Sequence, residues 1–124
     1  MTNLIVEEQH DLPLVSLSVA YRVGSLVEGD GHGGLVRHAA ELARRGAGGR
    51  SRAELDAAFD ALGAPLEVHT SHDAVVFSTR CLTRHVDPIT ALLAEVSMRP
   101  DFSEAEHEAL KRETLGLLDD VRDD

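Results

Sequence analysis

The spacing of apolar residues switches between two regimes along this chain, and the order of those regimes limits the folds open to it. From Leu14 to Val23, Val15, Leu17, Val19, Tyr21 and Val23 alternate with Ser16, Ser18, Ala20 and Arg22. That period of two predicts a strand with one buried face. A shorter apolar run, Leu4-Ile5-Val6, precedes it across a charged turn from Glu7 to Asp11 with Pro13, and predicts a first strand. The glycine-rich stretch Gly29–Gly34 then interrupts all periodicity. After it, Leu35, Ala39, Leu42 and Ala43 fall on one helical face, and the run Gly46-Ala47-Gly48-Gly49 stops that helix.

Ser51 followed three residues later by Glu54 is a capping box that opens a second helix over residues 53–62, closed by Gly63. Alternation returns from Leu66 to Leu82, broken at Ser71-His72-Asp73, which predicts a hairpin. Asp87-Pro88 starts a third helix carrying Ile89, Leu92, Leu93 and Val96, ending before Pro100. Ser103 with Glu106 caps a fourth, bearing Leu110, Leu117, Leu118 and Val121. The order ββ-αα-ββ-αα predicts an α+β fold, an antiparallel sheet with helices packed on one face. With 124 residues there is room for a single domain. Asp119, Asp120, Asp123 and Asp124 crowd the end of the last helix, where carboxylates oppose the helix dipole, so a continuing helix or chain is expected.

Charge narrows the function classes. Twelve Lys and Arg against 22 Asp and Glu leave a formal charge of −10, which repels nucleic-acid phosphates and anionic lipid alike. The lone cysteine, Cys81, excludes an internal disulfide and a thiolate zinc cluster. No segment reaches the ~18 apolar residues of a membrane span, and no signal-type N-terminus is present in these residues, so a cytoplasmic protein is expected.

Four groups of residues carry candidate chemistry. The glycine loop before Leu35 could cradle a phosphate at a helix N-terminus, but it lacks both the P-loop ending and the G-x-G-x-x-G frame, and a structural turn is the ordinary reading. His32, His38 and Glu41 have spacings compatible with a metal trio, against the ordinary reading of solvent-exposed histidines. Ser71, His72 and Asp73 spell triad letters, yet triad members are seldom adjacent in sequence. Cys81 sits in an alternating strand as a small core residue rather than a reactive thiol.

Taken in order, six short segments resemble the pitrilysin/insulinase-type metallopeptidases, whose zinc motif is H-x-x-E-H. They are Arg22-Val23-Gly24-Ser25, Gly34-Leu35 at a helix start, and Gly48-Gly49-Arg50-Ser51-Arg52-Ala53-Glu54-Leu55. The others are Leu62-Gly63-Ala64, the polar turn from Thr70 to Asp73 leading into Ala74-Val75-Val76-Phe77, and Arg99-Pro100-Asp101-Phe102. The family's catalytic letters do not follow. Its helix aligns without gaps on Gly34-Leu35-Val36-Arg37-His38-Ala39-Ala40-Glu41. That frame puts Arg37 at the first zinc His, Ala40 at the general-base Glu and Glu41 at the second zinc His. The third ligand, a Glu in the last helix, falls at about Leu117.

The resemblance therefore implies the N-terminal part of one peptidase-family domain with no zinc or catalytic residue of its own. Such domains pair with a zinc-bearing subunit or domain and close over a peptide substrate. Two alternatives remain at this level: an active zinc endopeptidase using His32, His38 and Glu41, and an assembly subunit that handles no peptide. The family's substrate-contacting Arg-Tyr pair would lie beyond Asp124. The alignment also predicts an ion pair between Arg37 and Glu41, four apart on one helix. A truncated sheet implies open strand edges at Leu14–Val23 and Val75–Leu82, and with them self-association.

Overall fold

In the computed structural model, which describes residues 2–123, the long alternation becomes strand β1 (Leu14–Tyr21). Its odd-numbered members Val15, Leu17 and Val19 are half-buried while Ser16, Ser18 and Ala20 face solvent. The turn after it leads to helix α1 (Leu35–Ala43), followed by a two-residue ladder of β2 (Gly46–Ala47) on β3 (Arg50–Ser51). Helix α2 (Arg52–Ala61) begins where the capping box places it, the Glu54 N–H donating to Ser51 Oγ at 3.2 Å. The hairpin β4 (Glu67–Thr70) and β5 (Val75–Leu82), helix α3 (Val86–Met98) and helix α4 (Glu104–Asp123) complete the order. Ser103 caps α4 as expected, accepting from the Glu106 N–H at 3.2 Å.

The main sheet is antiparallel in the order β1-β5-β4. On its inward face β5 presents Val75, Phe77 and Cys81 to a core completed by Leu55, Phe59, Ile89, Leu92 and Val96 from the helices. The α+β architecture with helices on the sheet is thus the one the periodicity predicts. Two expectations are corrected. Leu4, Ile5 and Val6 form no strand and are 88, 90 and 70% exposed, because no neighbouring strand lies alongside to satisfy them. β5 is the central strand, paired on both sides, so Val75–Leu82 offers no open edge; the edges are β1 and β4.

The short motifs meet in space. Gly24 lies against the β4–β5 turn so closely that a Cβ there would stand 2.4 Å from the carbonyl carbon and oxygen of His72. Ser25 and Leu26 donate their N–H groups to Ser71 and His72 carbonyls across this contact, at 3.4 and 3.1 Å. The second meeting joins the glycine turn to the residues after α3. Gly48 N–H donates to Arg99 C=O and Asp101 N–H to Gly46 C=O, at 3.1 and 2.9 Å, with Ala47 bridging Pro100. Gly48 adopts φ +59° directly over the Glu95 side chain, which is ion-paired with Arg50. Segments distant in sequence therefore form two joints, one ahead of α1 and one between α1 and α2.

Candidate functional site

The candidate site is the outer surface of α1 and the part of α4 that crosses it. Helix α1 begins at Gly34, whose φ of +86° lies in the left-handed region open to glycine. Its first turn is closed from outside, the Val36 N–H donating to Glu28 Oε2 at 2.9 Å, a carboxylate at a helix N-terminus where the dipole favours it. The helix twist then distributes the three aligned positions that α1 carries. Arg37 is exposed, Ala40 is buried at 5%, and Glu41 is half-buried. Glu41 pairs with Arg44 at 3.9 Å, one turn on, rather than with Arg37 as expected; three-residue spacing suits it as well as four. Leu117, on α4, is 67% exposed.

Where α4 meets α1, the contacts are polar. His38 Nε2 and His107 Nδ1 stand 2.8 Å apart with their rings edge to face. Arg45, only 9% exposed, reaches both carboxylate oxygens of Glu113, at 3.2 and 2.5 Å, and lies 3.6 Å from Glu106. Arg52 of α2 approaches the same Glu106 oxygen at 4.0 Å. Its hydrogen bonds to Glu113, with the carboxylate charges, hold the Arg45 guanidinium firmly protonated against its burial, and Arg45 in turn holds the Glu113 carboxyl below its ordinary value. Burial first, then the neighbouring His107 and Arg45, push the His38 imidazole below 6.5.

A family model described as insulinase (peptidase family M16) matches residues 4–123. The chain belongs to the insulinase family of peptidases. Over 92 residues it is 25% identical to a protein of Rickettsia bellii named as an uncharacterized zinc protease, covering 74% of this chain and 22% of that one. Among solved structures it is similar to a peptidase M16 inactive domain from Pseudomonas fluorescens, with a TM-score of 0.80 and 25% identity over 86% of this chain and 26% of that one. A protease from Helicobacter pylori shares the fold, with a TM-score of 0.75 at 21% identity, covering 81% of this chain and 24% of that one. The chain spans about a quarter of the length of these relatives.

Insulinase-family enzymes are zinc enzymes, and the residues at the aligned positions do not fit that metal. Zinc takes neutral imidazole, thiolate or carboxylate donors in a tetrahedral set. Arg37 brings a permanent cation, Ala40 and Leu117 bring no donor atom, and Glu41 is engaged with Arg44. Nor are His32, His38 and Glu41 drawn together. His32 is exposed in the glycine turn, its N–H donating to Gly29 C=O at 3.0 Å, while His38 turns to His107. Among the described residues no group of three or more His, Cys, Asp or Glu side chains is placed to hold a metal.

The other candidates are structural. The Ser71 hydroxyl bonds Asp73 at 3.0 Å and Ala74 within its own turn, and His72 Nδ1 faces Ser25 Oγ at 2.9 Å, so the three turn residues form no Ser-His-Asp chain. Cys81 is 2% exposed, and burial pushes its thiol up, away from the reactive thiolate. The residues that sequence reasoning missed are Arg45, Glu106, His107 and Glu113. A signal existed: Glu106, His107, Leu110 and Glu113 recur at three-, four- and seven-residue spacing on one stripe of α4.

Proposed function

We propose that this chain acts as a non-catalytic part of an insulinase-family domain, pairing with a zinc-bearing subunit or domain to enclose and hold peptides for hydrolysis. What supports the reading is the resemblance to the family's motif, which puts Arg37, Ala40, Glu41 and about Leu117 at the positions of its two His, base and Glu, together with the absence of donor atoms on the Ala40 and Leu117 side chains. Arg37 repels a cation, and Ala40 puts no proton-accepting group at the position of the family's general base. Zinc and the hydrolytic water would then belong to the partner, and this chain would supply wall and fold. The similarity to a domain described as inactive supports the same reading. A cytoplasmic setting suits its single, buried and unpaired Cys81. No helix among the described residues is long and apolar enough to cross a membrane.

Metal analysis and an unstructured-peptide assay test the catalytic half of the proposal. The chain is expected to carry no stoichiometric zinc and to cleave nothing alone; one-to-one zinc with turnover would overturn it. Mixing with a zinc-bearing chain that co-purifies with it tests the pairing, with faster peptide cleavage expected and no change counting against it.

A further inference from the structure

Helix α4 is attached to the rest of the molecule chiefly through α1, and Leu110 is its single buried residue among those described. A helix with so little apolar anchorage depends on its polar contacts, and the central one is between two imidazoles. We propose that His38 and His107 form a proton-operated latch that holds α4 on α1 while the pair carries at most one proton and releases it when a second is taken up.

The geometry gives the device its sign. At 2.8 Å the two facing ring nitrogens share one hydrogen, one donating and one accepting. A neutral pair satisfies this with one tautomer, and a singly protonated pair satisfies it with a charge-assisted bond. A second proton puts N–H groups on both facing nitrogens and two cations within contact distance. Both half-buried rings must then separate or lose their hydrogen bond.

The charged groups around the pair set where this happens. Arg45 on α1 adds a permanent cation beside His38 and opposes further protonation, which agrees with the lowered His38 basicity. Glu106 and Glu113 on α4 are spent on Arg45, with Arg52 of α2 close to Glu106, and Glu41 is spent on Arg44. Strand β4, which also packs on α1, turns Glu67 and His69 to solvent. Carboxylates ionise well below imidazoles, so the Arg45 contacts to both glutamates add no proton-dependent change over the imidazole range and part with the latch when α4 opens. Between about pH 6.5 and pH 5, the imidazoles are therefore the groups at the α1–α4 contact that change charge.

Hydrogen exchange, corrected for the intrinsic pH dependence of amide chemistry, reads the opening of α4 directly. In the intact chain, exchange over residues 104–116 is expected to accelerate by roughly tenfold per pH unit below 6.5, the linkage slope for one extra proton bound on opening. Helices α2 and α3 should not follow. The double variant His38→Gln with His107→Gln keeps a donor and an acceptor but cannot titrate, and its α4 exchange should be flat over the same range. Wild-type exchange that does not change between pH 7.5 and 5.5 would overturn the latch, as would a double variant that keeps the slope. Should that variant not fold, His107→Gln alone decides: with one imidazole left at the contact no second proton can be taken up, so the slope of α4 exchange should vanish, and a slope that persists would overturn the latch. A measured rise in α4 exchange with no loss of the wild-type His38–His107 contact on acidification would also refute it.

Discussion

Arg45 and Glu113 tie the first and last helices together, guanidinium to carboxylate, at 3.2 and 2.5 Å. The two ends of this pair live in different surroundings, Arg45 being 9% exposed and Glu113 52%. Removing the arginine should therefore matter more than removing the carboxylate, since it empties a packed site and strands Glu106, whose Oε2 is buried without a hydrogen-bond partner. Arg45→Ala is expected to lower stability by about 2 kcal/mol, measured by denaturant unfolding. Glu113→Gln should do less and should change the acid limb. The Arg45 hydrogen bond and charge depress the Glu113 carboxyl, so its contribution is present above the ordinary value of 4.5 and fades as the pH falls through the depressed one. A Glu113→Gln protein should lose less stability than wild type on acidification through that range; an unchanged acid transition would show that the pair does not hold α4.

Gly24 offers a sharper steric test. Its φ of −158° is open to any residue, so backbone conformation does not require glycine there. Space does, because an added Cβ would meet backbone atoms of His72 and Asp73 at 2.4 and 2.5 Å, and backbone cannot swing aside as a side chain can. Gly24→Ala should destabilise the fold by about 1–3 kcal/mol, in the range of overpacked interiors. A thermal melt identical to wild type would mean that this turn does not rest on the hairpin.

Thr79 is the opposite case, a residue that ought to be improvable. It lies on the inward face of β5 at 5% exposure, and its Oγ1 is buried with no hydrogen-bond partner. Valine has nearly the same shape and the same preference for a strand. Thr79→Val removes a desolvated hydroxyl and should raise stability by about 1 kcal/mol. A loss of stability instead would mean that the hydroxyl finds a partner in solution.

These residues also mark how far the fold was legible from sequence. The period of two located β1, β4 and β5, and Ser51 and Ser103 marked the starts of α2 and α4, because strand faces and caps are set by neighbours in the chain. What escaped depends on partners far away in sequence. Leu4–Val6 has the composition of a strand but no strand beside it. Leu117, Leu118 and Val121 have helical apolar spacing yet are 67, 55 and 72% exposed, since α4 extends past the face it packs on. The site was half legible. Alignment marked Arg37, Ala40, Glu41 and Leu117, but the Arg37–Glu41 pair gave way to Glu41–Arg44. The cluster of His38, Arg45, His107 and Glu113 arises only when α4 crosses α1, which no local pattern specifies.

The last expectation concerns the sheet. With β5 in the centre, β1 and β4 each have one side without a neighbouring strand, and an open strand edge presents a row of N–H and C=O groups ready to pair. Ahead of β1 in the sequence, the segment Leu4-Ile5-Val6 is apolar and 70–90% exposed, the kind of segment that adds to an edge in a second copy. The exposed end of α4 adds further apolar surface at Leu117, Leu118 and Val121. Against unlimited growth stands the net charge of −10, which favours a small defined assembly over precipitate. At micromolar concentration, light scattering is expected to show a dimer or small oligomer that dissociates on dilution. Placing a charge on the β1 edge with Ser18→Lys should shift the equilibrium toward monomer, since edge lysines oppose strand addition. A monomer at every concentration across a hundredfold range would mean that these edges are protected in solution, and the self-association proposal would fall.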